Sequence, residues 1–508
     1  MPDILMLRYG NLLYFSPDGS SPVPKDVVEL FHPHLSYDQR KFLFGWKARD
    51  PITGQKRNVE ITEKRLYGVD KKGRLFTPYG FAHRTFSVLK KAGYNIKYIN
   101  ANQPDQAKAS RLQADMSNVT YHFKFRDRQD TCLNAVMQYD QGVIHAATGF
   151  GKMAIIVMIC LLYPKAKIHI VTKRLPIVNK ISEYLTRYIP NVGQFGDGSK
   201  SFGDRVTVFC SKSLHHSDFD ADILLCDEAH ELLSDSDSQM LAGYQLTRNY
   251  GLTASPVGRL DGTDVRMEAL FGKTIFHLPY WEAVNLGLVV PIHVHWYDVI
   301  LSDNPAAGFE DVDRKRHGIW FNGPRNDIIA KAIEPIPHDE QFLVLTDTIF
   351  HACELYKRLA KQGRQRQLVL VYDKIDIDRF QQYKNDLIIP QNAERMTPEI
   401  KEKYRKMFEA GVIDAISTPT WEVGIDPTQL QHLVVASSFS SAIKAQQIPG
   451  RASRITDKIN KTCGYVYAFR DQFDRGFCKN ARSCYHTYES LRWTQLLVTN
   501  NGLVPLEW

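Results

Sequence analysis

A short apolar stretch, Gly142-Val143-Ile144-His145, runs directly into Ala146-Ala147-Thr148-Gly149-Phe150-Gly151-Lys152 and then into a second apolar stretch, Met153 to Tyr163. Few folds accommodate that order. The first stretch predicts a buried strand, the glycines a tight turn, and the second stretch a helix buried around most of its circumference. A buried strand–loop–helix unit belongs to a layered α/β fold with a parallel sheet. The loop also has a chemical use: backbone N–H groups, a helix N-terminus and a lysine cation converge on one point, as a bound phosphate requires. Ala146 stands where such loops usually have their first glycine, so the strand–loop–helix context carries the assignment. Lys152 is then the phosphate cation, and Ala147, Thr148, Gly149, Phe150, Gly151 and Met153 line the loop and the helix start. Met153 occupies the place of a Ser or Thr hydroxyl that ordinarily ligates Mg²⁺, and a thioether is a poor ligand for a hard cation. Either water and a second acidic motif hold the metal, or nucleotide turnover is weakened.

That acidic motif is Asp227-Glu228-Ala229-His230, directly after Ile223-Leu224-Leu225-Cys226 and 75 residues beyond Lys152. An Asp at the C-terminal end of a buried strand can hold Mg²⁺ through its hydration shell, and the adjacent Glu can deprotonate an attacking water. Ile168–Val171 and Val206–Phe209 add further buried strands. After Pro291 the pattern restarts with Phe342–Leu345, Leu368–Val371, Asp414–Ser417 and His432–Val435. The expected class is therefore α/β, with two tandem parallel-sheet domains after a smaller α+β one. The expected boundaries are 1–116, 117–288, 289–475 and a helical C-terminal extension, 476–508.

At 508 residues the chain exceeds what one hydrophobic core supports. With 44% hydrophobic and 24% charged residues, it is not a disordered, collagen-like or coiled-coil chain. Its formal charge is +8, but residues 36–97 hold fifteen Lys or Arg against five acids, a surplus of +10, so the remainder sums to about −2. Aromatic residues interleave with that charge: Phe42, Phe44, Trp46, Tyr67, Phe76, Tyr79, Phe81 and Phe86. Such a module suits sequence-independent binding to nucleic-acid phosphates, with some rings free to stack on exposed bases. Within it, Val59–Thr62 and Leu66–Val69 predict strands, Asp70–Gly73 a turn, and Pro78 the start of a helix that Gly93 ends. The polar stretch 102–118 predicts a linker. The eight cysteines contain no C-x-x-C pair and predict buried free thiols in a reducing cytoplasm. Cys463, Cys478, Cys484 and His486 match no common zinc spacing. No secretory signal is expected, and the longest apolar run is too short to span a bilayer.

The order of motifs resembles that of the superfamily-2 helicases and translocases over residues 120–475. Phe125-Arg126-Asp127-Arg128-Gln129 looks like the adenine-reading motif, with Arg126 and Gln129 as nucleotide contacts. Val171-Thr172-Lys173-Arg174 and Ser211-Lys212-Ser213-Leu214 resemble the backbone-contacting motifs of the first domain. Gly251 to Pro256 resembles the motif that couples nucleotide state to nucleic acid through Thr253 and Ser255, with His230. Leu345-Thr346-Asp347-Thr348 and Ser417 to Asp426 are similar to motifs of the second domain, the latter with Thr418 on the nucleic acid and Gly424 and Asp426 at its core. Gln447-Ile448-Pro449-Gly450-Arg451-Ala452-Ser453-Arg454 completes the series. Tyr280 to Pro291 is similar to the inter-domain segment of XPB-like translocases and of the phage UvsW-type, DEAH-class helicases.

The resemblance implies two RecA-like domains, ATP and Mg²⁺ as ligands, and a helicase or translocase acting on branched DNA such as forks and Holliday junctions. Lys152, Asp227 (the metal carboxylate) and Glu228 then serve catalysis, with Arg454 the first and Arg451 the second choice for the arginine finger; Gln447 is a coupling residue. The backbone contacts expected are Thr172, Lys173, Arg174, Ser211 and Thr418. A cytoplasmic monomer is expected, with DNA as partner, recombination or replication proteins as further partners and no membrane. An RNA helicase or the motor subunit of a restriction or repair assembly is the alternative. A nucleotide-gated DNA-binding protein with weak turnover, motivated by Met153, is the third reading.

Overall fold

The computed structural model describes residues 3–42, 59–101, 105–244, 248–256, 259, 261–421, 425, 427–456 and 458–508. Phe44, Trp46, Gly424 and Asp426, all singled out above, lie outside the described residues. The chain divides into two compact units, residues 1–147 with 151–278, and residues 148–150 with 279–508.

The first unit contains an eight-stranded sheet in the order Ser199–Ser201, Gly193–Gly196, Val206–Cys210, Ile168–Thr172, Ile223–Asp227, Arg248–Thr253, Gln141–Ala146, Thr274–Leu278. All pairings are parallel except that of the edge strand Ser199–Ser201. Three consecutive central strands, Val206–Cys210, Ile168–Thr172 and Ile223–Asp227, are buried at every residue, which explains their unbroken apolar sequence. Parallel pairing brings the C-terminal ends of all these strands to one edge. Ala146, Thr172, Asp227 and Thr253 therefore open onto the same crevice, where α/β sheets bind ligands.

A five-stranded sheet belongs to the same unit, in the order Gly68–Val69, Leu75–Pro78, Leu12–Ser16, Asp3–Tyr9, Asn95–Asn100. Helices Lys25–Leu35 and Ala82–Lys91 bury Val27, Phe31, Leu35 and Leu89 in the core of this small module, with Leu13, Phe15 and Phe81. The Asp70–Gly73 turn forms as expected, closed by the Gly73 N–H on the Asp70 carbonyl at 2.9 Å. The module is not tethered loosely. Ala269, from the helix Val265–Phe271 beside the parallel sheet, is part of its core. Gly80 lies so close to that helix that a Cβ there would sit 1.9 Å from the Glu268 carbonyl oxygen. Arg84 Nε donates to Glu268 Oε1 at 3.1 Å, and Gln141 Nε2 to the Tyr79 carbonyl at 3.3 Å.

From Asp105 onward, the stretch expected as a linker is structured instead. Asp105 and Asp115 cap helices Gln106–Arg111 and Met116–His122. Arg111 then clamps the buried Asp222 carboxylate with two bonds of 2.8 Å. Its polar composition reflects caps and an ion pair rather than freedom.

The second unit holds another eight-stranded sheet, in the order Gln367–Val371, Ile413–Ser417, Gln341–Leu345, Leu430–Val435, Gly464–Asp471, Ile292–Val299, Thr494–Thr499, Gly502–Pro505. Only the last pair is antiparallel. The C-terminal segment is thus not helical throughout. After the helix Arg475–Ser490, the β-prone run Thr494–Thr499 and a turn at Asn500-Asn501-Gly502 form a hairpin that extends this sheet. Among the described residues no helix is long and apolar enough to cross a membrane, and six of the eight cysteines are buried and all are free.

Inside this second sheet domain, Arg325 and Asp471 are 1% and 2% exposed and pair through Nε–Oδ1 at 2.7 Å and Nη2–Oδ2 at 3.2 Å. Arg325 Nη1 also donates to the Ala436 carbonyl at 2.8 Å. Removing one partner strands a buried charge. Arg325→Ala is expected to destabilise this domain by about 3–5 kcal/mol, read as an early unfolding transition in urea; a midpoint equal to the wild type's would refute the expectation.

Candidate nucleotide site and its coupling residues

The loop after strand Gln141–Ala146 is shaped by two left-handed glycines, Gly149 and Gly151, each at φ +93°. Side chains rarely adopt that conformation, and a Cβ on Gly151 would also lie 3.2 Å from Gln129 Nε2. Gly151 is the N-cap of helix Lys152–Leu162, which buries every residue from Ile155 to Leu162. The loop's backbone and the helix N-terminus are thereby fixed on the sheet. Gln129 is buried, and its Oε1 accepts the Arg126 N–H at 2.9 Å. This holds the two expected adenine-reading residues together beside the loop.

Lys152 Nζ lies 3.9 Å from Glu228 Oε1. Glu228 sits at φ +47°, a left-handed conformation that is strained for a residue with a Cβ and characteristic of functional turns. Asp227 is buried, and its Oδ1 has no hydrogen-bond partner; Glu228 Oε2 likewise has none. Burial, and next the Glu228 charge, push the Asp227 carboxyl above the usual carboxylate range, while Lys152 opposes them. A divalent cation would supply the missing counter-charge. Among the described residues no group of three His, Cys, Asp or Glu could hold a metal. One carboxylate plus water and phosphate oxygens suits Mg²⁺ and excludes a zinc cage there.

His230 is buried, and its Nδ1 lies 2.9 Å from Thr253 Oγ1 and 3.5 Å from Glu228 Oε2. Thr253 Oγ1 accepts the Ser255 N–H at 3.0 Å, leaving its proton available to Nδ1. Burial lowers the His230 pKa and so favours the neutral imidazole. Glu228, His230, Thr253 and Ser255 therefore form one continuous cluster.

The expected nucleic-acid contacts are differently placed. Thr172 and Ser211 are fully buried, their hydroxyls without hydrogen-bond partners, and Thr418 is nearly so. Lys173 is paired with Asp237, and Arg174 Nη2 reaches Glu231 Oε1 at 2.7 Å. In the second unit, Gln447 ends helix Ala442–Gln447. Arg451 is buried and donates from Nη1 to the Trp421 carbonyl at 3.0 Å. The Arg454 carbonyl accepts Lys461 Nζ at 3.0 Å.

Several residues here escaped the sequence reading: Glu231 and Asp237, which neutralise Arg174 and Lys173, Lys461, and Arg259. Arg259 Nη1 donates to the His230 carbonyl at 2.8 Å. Its only sequence signal is an Arg and an Asp flanking one residue ahead of Gly262, a pattern that reads as an ordinary turn.

Residues 122–258 match the family described as type III restriction enzyme, res subunit (ResIII). A protein of Sulfolobus islandicus filamentous virus (isolate Iceland/Hveragerdi) named as helicase 22 is 23% identical over 250 residues, 48% of this chain and 42% of that protein. The chain thus spans less than half the length of that curated relative. A fragment from Vibrio vulnificus YJ016, named as an HsdR subunit of a type I restriction enzyme, is similar at TM-score 0.52 and 14% identity, covering 92% of this chain and 93% of that one. S. cerevisiae Dbp5 bound to RNA and ADP BeF3 is similar at TM-score 0.51 and 13% identity, covering 77% and 95% respectively. At these identities the likeness concerns fold, and the two eight-stranded sheets are RecA-like domains in tandem.

Proposed function

We propose that this chain, whose core is that of a superfamily-2 helicase, hydrolyses ATP to move along DNA and remodel branched duplexes, regressing forks, migrating Holliday junctions and unwinding duplex. The observation that carries the reading is the placement of Lys152 3.9 Å from Glu228 beside the unpartnered Asp227 oxygen, at the mouth of a loop with two left-handed glycines. The cation that draws terminal phosphates and the carboxylate that takes a proton from water share one small volume. Glu228 Oε2 is the proton acceptor, and Asp227 Oδ1 is the oxygen that would hold Mg²⁺ through its hydration shell. When bound, Mg²⁺ neutralises phosphate charge. Arg126 and Gln129 face the base, Ala147 to Met153 cradle the phosphates, and Gly424 and Asp426 complete the nucleotide contacts. Arg454, with Arg451, supplies guanidinium charge from the second domain. Water access to Glu228 is sensed by His230 and passed to Thr253, Ser255 and Gln447.

DNA is the favoured track because a basic module is fastened to the first RecA-like domain through Arg84, Tyr79 and Gly80. A grip fixed to one motor half can bear on a branch while the motor steps. Lys173 and Arg174 bind a strand by exchanging Asp237 and Glu231 for phosphates, which makes that contact steeply salt-dependent. The res-subunit and HsdR likenesses favour the second reading, a motor subunit of a restriction assembly. ATP turnover measured with single-stranded, duplex, junction and RNA cofactors tests these readings. Junction DNA is expected to stimulate most, by about tenfold or more over no cofactor, and Lys152→Ala to remove the activity. Strongest stimulation by RNA would sink the DNA reading, and equally low rates in wild type and Lys152→Ala would leave only a nucleotide-gated binder.

A further inference from the structure

The small N-terminal module also carries a two-stranded ribbon, Ser36–Phe42 paired antiparallel with Val59–Arg65. Its first strand rests on a short segment just after the Thr253–Ser255 motif. The Arg40 N–H donates to the Asp261 carbonyl at 3.0 Å. Gly262, at φ +76°, is approached so closely that a Cβ there would lie 2.5 Å from the Asp38 carbonyl oxygen. The Tyr37 ring receives the Arg266 guanidinium at 5.6 Å.

The same segment grips the acid motif from its other side. Arg259 clamps Asp261 through Nε–Oδ1 at 3.1 Å and Nη2–Oδ2 at 2.7 Å, and its Nη1 donates to the His230 carbonyl at 2.8 Å. Arg266 is buried, and its Nη1 donates to the Leu233 carbonyl at 3.0 Å. One of those carbonyls lies within the single turn Ala229–Leu232 that follows Glu228, and the other directly after it. Two arginines thus tie the ribbon's seat to the turn that follows the strained Glu228 backbone and carries the His230 ring. Burial alone would raise the Asp261 carboxyl, but the bonds from Arg259 and Thr263 outweigh it and bring it down to about 2, so the clamp stays charged at neutral pH.

We propose that Arg259 is a positioning residue that transmits DNA occupancy of the N-terminal module to the hydrolytic carboxylate. The inference rests on the ATP-driven DNA reading above. A pull on the ribbon moves Asp261 and Gly262 by their backbones, Arg259 carries the displacement to the His230 carbonyl, and the Glu228 carboxylate shifts relative to Lys152. The bonds of the Arg259 guanidinium among the described residues run to Asp261, Thr263 and the His230 carbonyl, none of them an expected nucleotide contact. Its loss therefore uncouples turnover from DNA rather than removing turnover.

The test compares ATP turnover with and without junction DNA in the full chain, alongside DNA affinity and melting temperature. The variants are Arg259→Ala, Arg259→Lys and Gly262→Val. Arg259→Ala is expected to keep basal kcat, the KM for ATP and the DNA Kd within about threefold, while DNA stimulation of kcat falls by about 5- to 150-fold, the span of ordinary coupling energies. Arg259→Lys, whose single ammonium cannot hold Asp261 and His230 together, is expected to be intermediate. Gly262→Val, whose side chain meets the Asp38 carbonyl at a +76° backbone, displaces the ribbon from its seat and is expected to lose the same stimulation. Stimulation within twofold of wild type in Arg259→Ala or Gly262→Val overturns the proposal, as does a common fall of basal and stimulated rates with a lowered melting temperature. Absence of stimulation in the wild type itself defeats the underlying DNA reading and, with it, this inference.

Discussion

Glu228→Gln is expected to lower ATP turnover by about 10²–10⁴-fold, the usual contribution of a general base, while leaving nucleotide affinity within a few-fold. The substitution is nearly isosteric, and the left-handed backbone at φ +47° is no harder for Gln than for Glu. What disappears is the proton acceptor, Oε2, which has no hydrogen-bond partner to satisfy. The 3.9 Å pairing with Lys152 weakens at the same time, freeing the cation for phosphate and favouring binding slightly. Lys152→Ala should behave in the opposite way, losing nucleotide affinity along with turnover. Single-turnover phosphate release measured beside nucleotide Kd separates the two. A Glu228→Gln rate within tenfold of wild type would remove Glu228 from its assigned role.

Much of the two-domain fold was legible because its candidate site sits where strands end. The runs Ile168–Val171, Val206–Phe209 and Ile223–Cys226 are apolar because both faces of a central parallel strand are covered, and all three became adjacent strands. Gly142–His145 and the four runs after Pro291 likewise became strands, but several others were hidden for physical reasons. Arg248–Thr253 opens with Arg and Asn, since Asn249 bonds the Leu270 carbonyl and Arg248 the Val136 carbonyl, so its apolar signal starts late. Ile292–Val299 alternates buried and half-buried positions, which blurs the run expected of a parallel strand. The predicted strand Leu66–Val69 shrank to Gly68–Val69 because Leu66 instead bonds back to the Leu35 carbonyl. In the candidate site, Lys152, Asp227 and Glu228 were singled out from local motif context, and the fold brings them together. The acids that neutralise Lys173 and Arg174, and the Arg259 clamp on His230, join residues 29 to 64 positions apart. No local pattern encodes such pairs, and an Arg read alone shows a charge without showing which carboxylate or carbonyl it faces.

The two arginines of the second domain offer the other large effect, and their surroundings predict different failures. Arg454→Ala is expected to reduce DNA-stimulated turnover by about 10³–10⁵-fold, as loss of an arginine finger does, with no fall in the melting temperature. Its main chain is held independently of its side chain, by Lys461 Nζ on the carbonyl and by a bridge to Val289, so truncation should leave the backbone in place. Arg451→Ala should lower turnover and also destabilise the domain by about 1–3 kcal/mol, because the Trp421 carbonyl loses its 3.0 Å donor in a buried setting. Lys461 supplies a second readout. Burial, and after it the Arg454 charge, depress its pKa from 10.5 to about 7. The unfolded chain therefore binds more protons than the folded one between those values, and wild-type stability should rise with pH across that window. Removing the Arg454 charge lets the Lys461 pKa climb and flattens the rise, whereas it leaves burial untouched. Unfolding midpoints taken from pH 7 to 10 on both proteins measure the difference. An Arg454→Ala protein that turns over ATP within tenfold of wild type would exclude Arg454 as the finger, and the same result for Arg451→Ala at intact stability would exclude both.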